Sequence, residues 1–201
     1  MHIAIVLYDG YDQLDAIGPY EVFSHAASSG ADIDVGLYTL EEQAIVRSSH
    51  DLRVQPDGTL DELETTPDLV VVPGGGWSSR AEVGTWGEAE RGDIPRALTQ
   101  FYDAGAEIAT VCTGGMLAAR AGLTDGRPAI THHNAIEDLR DSGAEVIDAR
   151  VVDDGDLITA GGVTSGIDLA LHLVERAFGV DIAEEVATIM EYERTGEVHV
   201  A

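Results

Sequence analysis

Lysine is absent from this chain and cysteine occurs once. All 11 basic side chains are Arg, against 37 Asp and Glu, for a formal charge of -26. A chain without clustered Lys and Arg has no basic patch to neutralise phosphates, so no nucleic-acid partner is expected. A phosphate loop is excluded by the same absence, and no glycine cluster reads G-x-G-x-x-G, so no nucleotide or other cofactor is implied. One Cys rules out an internal disulfide. Long apolar runs are missing too: the chain enters a short one directly at residues 3–7, with no basic region or cleavage site before it. Neither a signal peptide nor a membrane partner is expected, and the reading is a cytoplasmic protein. Metal ligation is weakly supported, since His132 and His133 are adjacent and would diverge on a strand, with no Cys or His at ligand spacing around them. A charge of -26 repels itself at low ionic strength, whereas at molar salt the Debye length falls to about 3 Å. Together with the missing Lys, that reads as adaptation to a very salty cytoplasm.

What is present suits one domain over residues 1–201, with 44% apolar residues to build its core. Short apolar runs alternate with longer amphipathic ones. Strands are expected at 3–7, 33–40, 69–72, 107–111, 129–131 and 157–160, with a pair of short strands within 45–54. Helices are expected after Pro19, placed in a first turn with Tyr20, Phe23 and Ala27 on the apolar face, and over 94–104, 135–140, 167–178 and 182–190. Met116 and Leu117 read as core on a further helix. Glycine clusters follow two of the strands, at Gly74, Gly75 and Gly76 and at Gly161 and Gly162. The alternation predicts an α/β fold: an open, mostly parallel sheet with helices on both faces and loops of function at the strands' carboxyl ends.

The junction at residues 106–119 organises the rest. An apolar strand ends in Cys112 and passes through Thr113, Gly114 and Gly115 into a helix. A thiol so placed projects from the sheet edge beside free backbone N–H groups, which favour a thiolate and can donate to an oxyanion. A buried, inert cysteine satisfies the same local pattern.

Five motifs together carry a resemblance: the run 13–19 containing Asp15 and Pro19, Val72-Pro73-Gly74-Gly75, Val111-Cys112-Thr113-Gly114, Thr131-His132, and the run 161–168. In this order, over residues 2–193, they resemble the ThiJ/PfpI family of the class I glutamine amidotransferase-like superfamily, and most of all its isonitrile hydratase branch. The resemblance implies a flavodoxin-like three-layer sandwich, a homodimer, and a cysteine at a nucleophile elbow. It implies Cys112 as nucleophile, Asp15 as the carboxylate against it, Thr113 as the following residue, and His132 near the site. Helix capping is the competing role for Asp15, and a structural role competes for His132. Trp77 and Trp86 would roof the pocket or pack a dimer face, and Tyr11 would join the rim.

For such a site the chemistry is addition of water to a small isonitrile. A thiolate adds to the isonitrile carbon, and water converts the thioimidate to an N-substituted formamide. Asp15 would shuttle protons, while the N–H groups of Gly75 and Thr113 stabilise developing charge, with Gly74 and His132 also at the substrate-binding or oxyanion site. A carboxylate against a thiolate is a like-charge pair, so a raised carboxyl pKa is expected. The alternatives are a glyoxalase, deglycase or peptidase-type hydrolase, opposed by Thr113 where a His would follow the cysteine, and a non-enzymatic redox sensor or ligand-binding domain.

Overall fold

The apolar runs at 3–6, 69–72, 108–111 and 157–160 form the interior of one sheet, and every residue in them, Thr110 and Thr159 included, is fully buried. Strands covered on both faces carry such unbroken runs rather than alternation. The computed structural model describes all 201 residues. Its strands are β1 (His2–Val6), β2 (Asp34–Thr39), β3 (Val46–Arg47), β4 (Arg53–Val54), β5 (Gly58–Thr59), β6 (Leu69–Val72), β7 (Glu107–Val111), β8 (Pro128–Ala129), β9 (Glu145–Val146), β10 (Val151–Asp153), β11 (Leu157–Ala160) and β12 (Val198–Val200). Eight form the central sheet in the order β12-β10-β11-β7-β6-β1-β2-β5. All neighbours run parallel except β10 and β11. Helices α1 (Gln13–Ser28), α2 (Thr85–Arg91), α3 (Asp93–Asp103), α4 (Gly115–Arg120), α5 (Ile136–Asp141), α6 (Ser165–Phe178) and α7 (Val180–Ile189) complete the chain. α1, α6 and α7 pack together on one face, and α2 to α5 on the other. This is the expected flavodoxin-like sandwich.

Two local expectations fail. Pro19 does not open a helix: it lies inside α1, whose N-cap is Asp12, with its carboxylate accepting the Leu14 N–H at 3.1 Å. The cap nucleates the helix upstream, and the fixed φ of proline fits its interior at the cost of one i→i−4 bond. Nor does a strand cover 129–131. Beyond Ala129, the Ile130 N–H donates to Thr159 Oγ1 at 2.9 Å and Thr131 Oγ1 donates to the Cys112 carbonyl at 2.8 Å, so side-chain bonds to the main sheet replace a ladder. The pair within 45–54 does form, as the antiparallel ribbon of β3 and β4.

Arg47 and Arg53 apart, every Arg pairs with a carboxylate. Beyond these, the N-terminus lies against Asp68, and His25 and His172 face Glu21 and Asp153, so most carboxylates have no cationic partner. The unfolding midpoint, followed by circular dichroism, therefore rises as KCl increases from about 0.1 M to about 1 M, over which the Debye length shortens from about 10 Å to about 3 Å. A flat or falling midpoint would show that self-repulsion does not govern stability. No helix is long and apolar enough to cross a membrane.

Candidate active site

Register brings three strand ends together. Val72 of β6 lies opposite Thr110 of β7, and Val111 of β7 opposite Ala160 of β11. The loops starting at Pro73, Cys112 and Gly161 therefore emerge side by side. Cys112 itself has φ +56°, a left-handed conformation that a side chain rarely adopts. Its N–H donates to the Gly161 carbonyl at 2.7 Å and its carbonyl accepts the Thr131 hydroxyl. With both backbone groups held, the chain turns through a 3-10 segment, Cys112–Gly114, into α4. The strand–thiol–helix elbow is thus present, although the cysteine is only 6% exposed.

Asp15 lies in the first turn of α1 and is fully buried. The capping role belongs to Asp12 instead. Asp15 Oδ2 accepts the Gly74 N–H at 2.9 Å, while Oδ1 is buried with no protein hydrogen-bond partner. The side chain that bears on this carboxyl is the Cys112 thiol. Burial, aided by the charge of Asp12, pushes the Asp15 pKa up to about 8, against the pull of the Gly74 N–H and the thiol. Burial followed by the charge of Asp15 pushes Cys112 up to about 12, and the N–H groups of Val163 and Thr113 only partly offset this. The expected raised carboxyl is found, but the expectation that the elbow's N–H groups make a resting thiolate is not: desolvation outweighs them. At neutral pH the pair holds two protons.

Gly74 and Gly75 serve differently from the expected oxyanion donors. The Gly74 N–H holds Asp15, and the Gly75 N–H donates to Thr113 Oγ1 at 2.9 Å. That bond begins a buried relay that sequence reasoning missed. Thr113 donates to Thr85 Oγ1 at 3.4 Å, Thr85 lies 2.9 Å from the Tyr8 hydroxyl, and Tyr8 donates to the Pro73 carbonyl at 2.6 Å. If Thr85 donates to Tyr8, each of the three hydroxyls donates once and accepts once, and the relay closes on the loop where it began. Tyr8→Phe leaves Thr85 and the Pro73 carbonyl without this partner. It is expected to cost about 1–3 kcal/mol in denaturant titration, and no loss would show that the relay is not structurally coupled.

His132 is half-buried and His133 exposed. Their rings do not diverge as on a strand but sit 4.1 Å apart, because both lie where the chain leaves β8 for a 3-10 turn. His132 Nδ1 accepts the Asn134 N–H at 3.2 Å, its ring packs against Gly162, and burial lowers its pKa. Trp77 and Trp86 meet edge to face at 4.9 Å, with Arg80 stacked 3.9 Å from the Trp86 ring centre. Trp77 Nε1 donates to Asp138 at 2.6 Å, tying this loop to α5. Tyr11 is not on a rim: it is fully buried, edge-on to Tyr8. Val163, whose N–H reaches the sulfur, had no signal of its own beyond the two glycines before it.

Residues 1–176 match the DJ-1/PfpI family. The chain belongs to that family. Among its relatives, the isonitrile hydratase of Pseudomonas putida is 35% identical over 192 residues, 96% of this chain and 78% of that protein. Protein dj-1beta of Drosophila melanogaster is 28% identical over 185 residues, 91% of this chain and 92% of that one. A ThiJ/PfpI family protein from Pseudomonas syringae superposes with a TM-score of 0.83 at 25% identity, over 96% of this chain and 76% of that one. DJ-1/PfpI members therefore include an enzyme of isonitriles and proteins of other names, so the choice rests on the residues of the site.

Proposed function

We propose that this protein is a cysteine-dependent lyase that adds water to a small isonitrile, giving an N-substituted formamide, in a cell of high internal salt. The observation that carries the reading is the buried Cys112 thiol against Asp15, a carboxyl with a raised pKa and an unpartnered Oδ1. The identity to the Pseudomonas putida isonitrile hydratase adds to it.

In the singly protonated pair, Asp15 takes the proton of Cys112. The thiolate then forms a C–S bond to the isonitrile carbon, and Asp15 returns the proton to that carbon, giving a thioimidate. Water adds to the same carbon, the C–S bond breaks, nitrogen gains a proton, and the formamide leaves with the thiol restored. The N–H groups of Val163 and Thr113 hold the sulfur while it is charged. Thr113 acts through its relay to Gly75, which keeps the loop beside the elbow in register.

A peptidase needs a base beside the cysteine, and the residue there is Thr113, with its hydroxyl engaged on both sides. A peroxide sensor needs an accessible thiolate, whereas this thiol is buried with a raised pKa. The test is formamide production from an aryl isonitrile in molar KCl. Turnover by the folded wild type supports the reading, and its absence sinks it.

A further inference from the structure

The loop 161–164 is held at both ends by a single residue outside the elbow. The Arg150 carbonyl accepts the Gly161 N–H at 3.0 Å, and Gly161 in turn accepts the Cys112 N–H. At the other end, Arg150 Nη2 donates to Thr164 Oγ1 at 3.0 Å. Between these anchors sits Val163, at φ +30°, whose N–H is one of the two that pull the Cys112 pKa down. A non-glycine residue in that region is strained and persists only where its surroundings hold it.

Arg150 is itself clamped. Its Nε donates to Asp168 Oδ2 at 2.6 Å, in a pair whose side chains are 23% and 4% exposed, so salt screens it less than a surface pair. Asp168 also accepts the Tyr192 hydroxyl at 2.7 Å and the Thr195 N–H at 3.0 Å, both from the segment leading to β12. The Arg150 N–H donates to the Glu197 carbonyl at 3.0 Å in the same segment, and Gly196 packs against the Arg150 side chain. The C-terminal segment thus has a route to the sulfur through Asp168, Arg150, Thr164 and Val163.

We infer that Arg150, clamped by Asp168 and the C-terminal segment, is a positioning residue that keeps the Val163 N–H on the sulfur of Cys112. The inference rests on Cys112 being the reactive group. Its test needs no isonitrile, so a failed formamide assay and a failed clamp are separate results.

Cys112 is the only cysteine, so alkylation by iodoacetamide, read by intact mass, reports this one sulfur. A C–S bond forms, iodide leaves, and the thiol proton passes to solvent. The measurement is the alkylation rate at one fixed pH of about 9, well below the midpoint of a thiol pushed up to about 12. Asp15 of α1, with Asp12 behind it, and Tyr8 after β1 bear on the sulfur, His132 lies against Gly162 of the same loop, and all remain in each variant.

Losing one N–H bond to a charged sulfur leaves about tenfold less thiolate at that pH, so the rate falls about tenfold, whereas mere loosening of the fold exposes the thiol and raises the rate. Arg150→Met is expected to show that fall. Arg150→Lys, which keeps the charge on Asp168 but not the fork to Thr164, recovers part of it. Arg127→Met removes an Arg bonded to Asp154 and Asp156 at the opposite end of the sheet, and should lower the melting temperature without a fall in the alkylation rate. Thr164→Val deletes only the exposed acceptor and covers the case in which Arg150→Met does not fold. A rate that does not fall in folded Arg150→Met overturns the inference, as does one in Thr164→Val should Arg150→Met not fold. An equal fall in Arg127→Met also overturns it, because the effect would then be general destabilisation.

Discussion

Asp15→Asn is expected to lose turnover and gain stability in the same variant. Proton transfer by a positioned carboxyl contributes about 10²–10⁴-fold, and Asn cannot carry the proton, so formamide production falls by that factor; Cys112→Ala removes the attacking atom and abolishes it. The stability effect follows from the raised pKa. An Asp in the unfolded chain releases its proton near pH 4, whereas buried Asp15 keeps it until about pH 8. Across that window the folded state binds more protons than the unfolded one. Stability of the wild type therefore declines as pH rises, by at most about 1.4 kcal/mol per pH unit from this group. The amide introduced by Asp15→Asn does not titrate, and its oxygen can still accept the Gly74 N–H. Denaturant titrations of both proteins between about pH 4 and about pH 8 should then diverge, with Asp15→Asn increasingly the more stable. Parallel curves would mean that Asp15 is already ionised in the folded protein. The catalytic counterpart has the same origin: activity rises with pH through about 8, as the pair goes from two protons to one. A profile flat from about pH 6 to about pH 9 would remove Asp15 from the proton path.

Gly114→Ala is expected to be the most damaging conservative change at the elbow. Gly114 has an ordinary helical φ, so the constraint is space alone: a Cβ there would lie 2.1 Å from the Val72 carbonyl oxygen and 2.9 Å from that of Pro73. Both contacts are backbone, so neither can swing away. Relief requires the elbow to withdraw from β6, which parts Gly74 from Asp15 and Gly75 from Thr113. A loss of about 3 kcal/mol or more is expected, or about 6–12 °C in melting temperature for a domain of this size. Near-complete loss of activity accompanies it, because Asp15 is released from the sulfur. Gly122→Ala is the contrasting case. Its φ of +77° makes substitution strained while no atom lies within 4 Å of the new Cβ, so it should cost stability and spare turnover. Equal activity loss in both would show that the close packing under the elbow has no catalytic consequence.

The two kinds of residue at the site were unequally legible. Cys112 stood out as the only cysteine at a strand-to-helix junction, and Asp15 through the motif run around Pro19. Tyr8, Thr85 and Val163 carried no comparable mark. Tyr8 and Thr85 are 77 positions apart and meet only because α2 folds over the end of β1, and nothing in either neighbourhood encodes that meeting. Val163 acts through its backbone N–H, a group every residue but proline possesses. Gly74 and Gly75 were legible as tight turns but not in their use, since the partners that take their N–H groups come from α1 and from the elbow.

By itself, the sequence determined the layered architecture, the parallel core strands, the elbow and the acidic surface. These depend on the composition and period of contiguous residues, which local physics reads directly. Only the tertiary structure decided the protonation state of the Cys112–Asp15 pair, the commitment of the glycine N–H groups, and the clamp that ties the C-terminal segment to Val163. Each of these depends on how far water is excluded, and on which distant groups face one another once the sheet and its helices have closed.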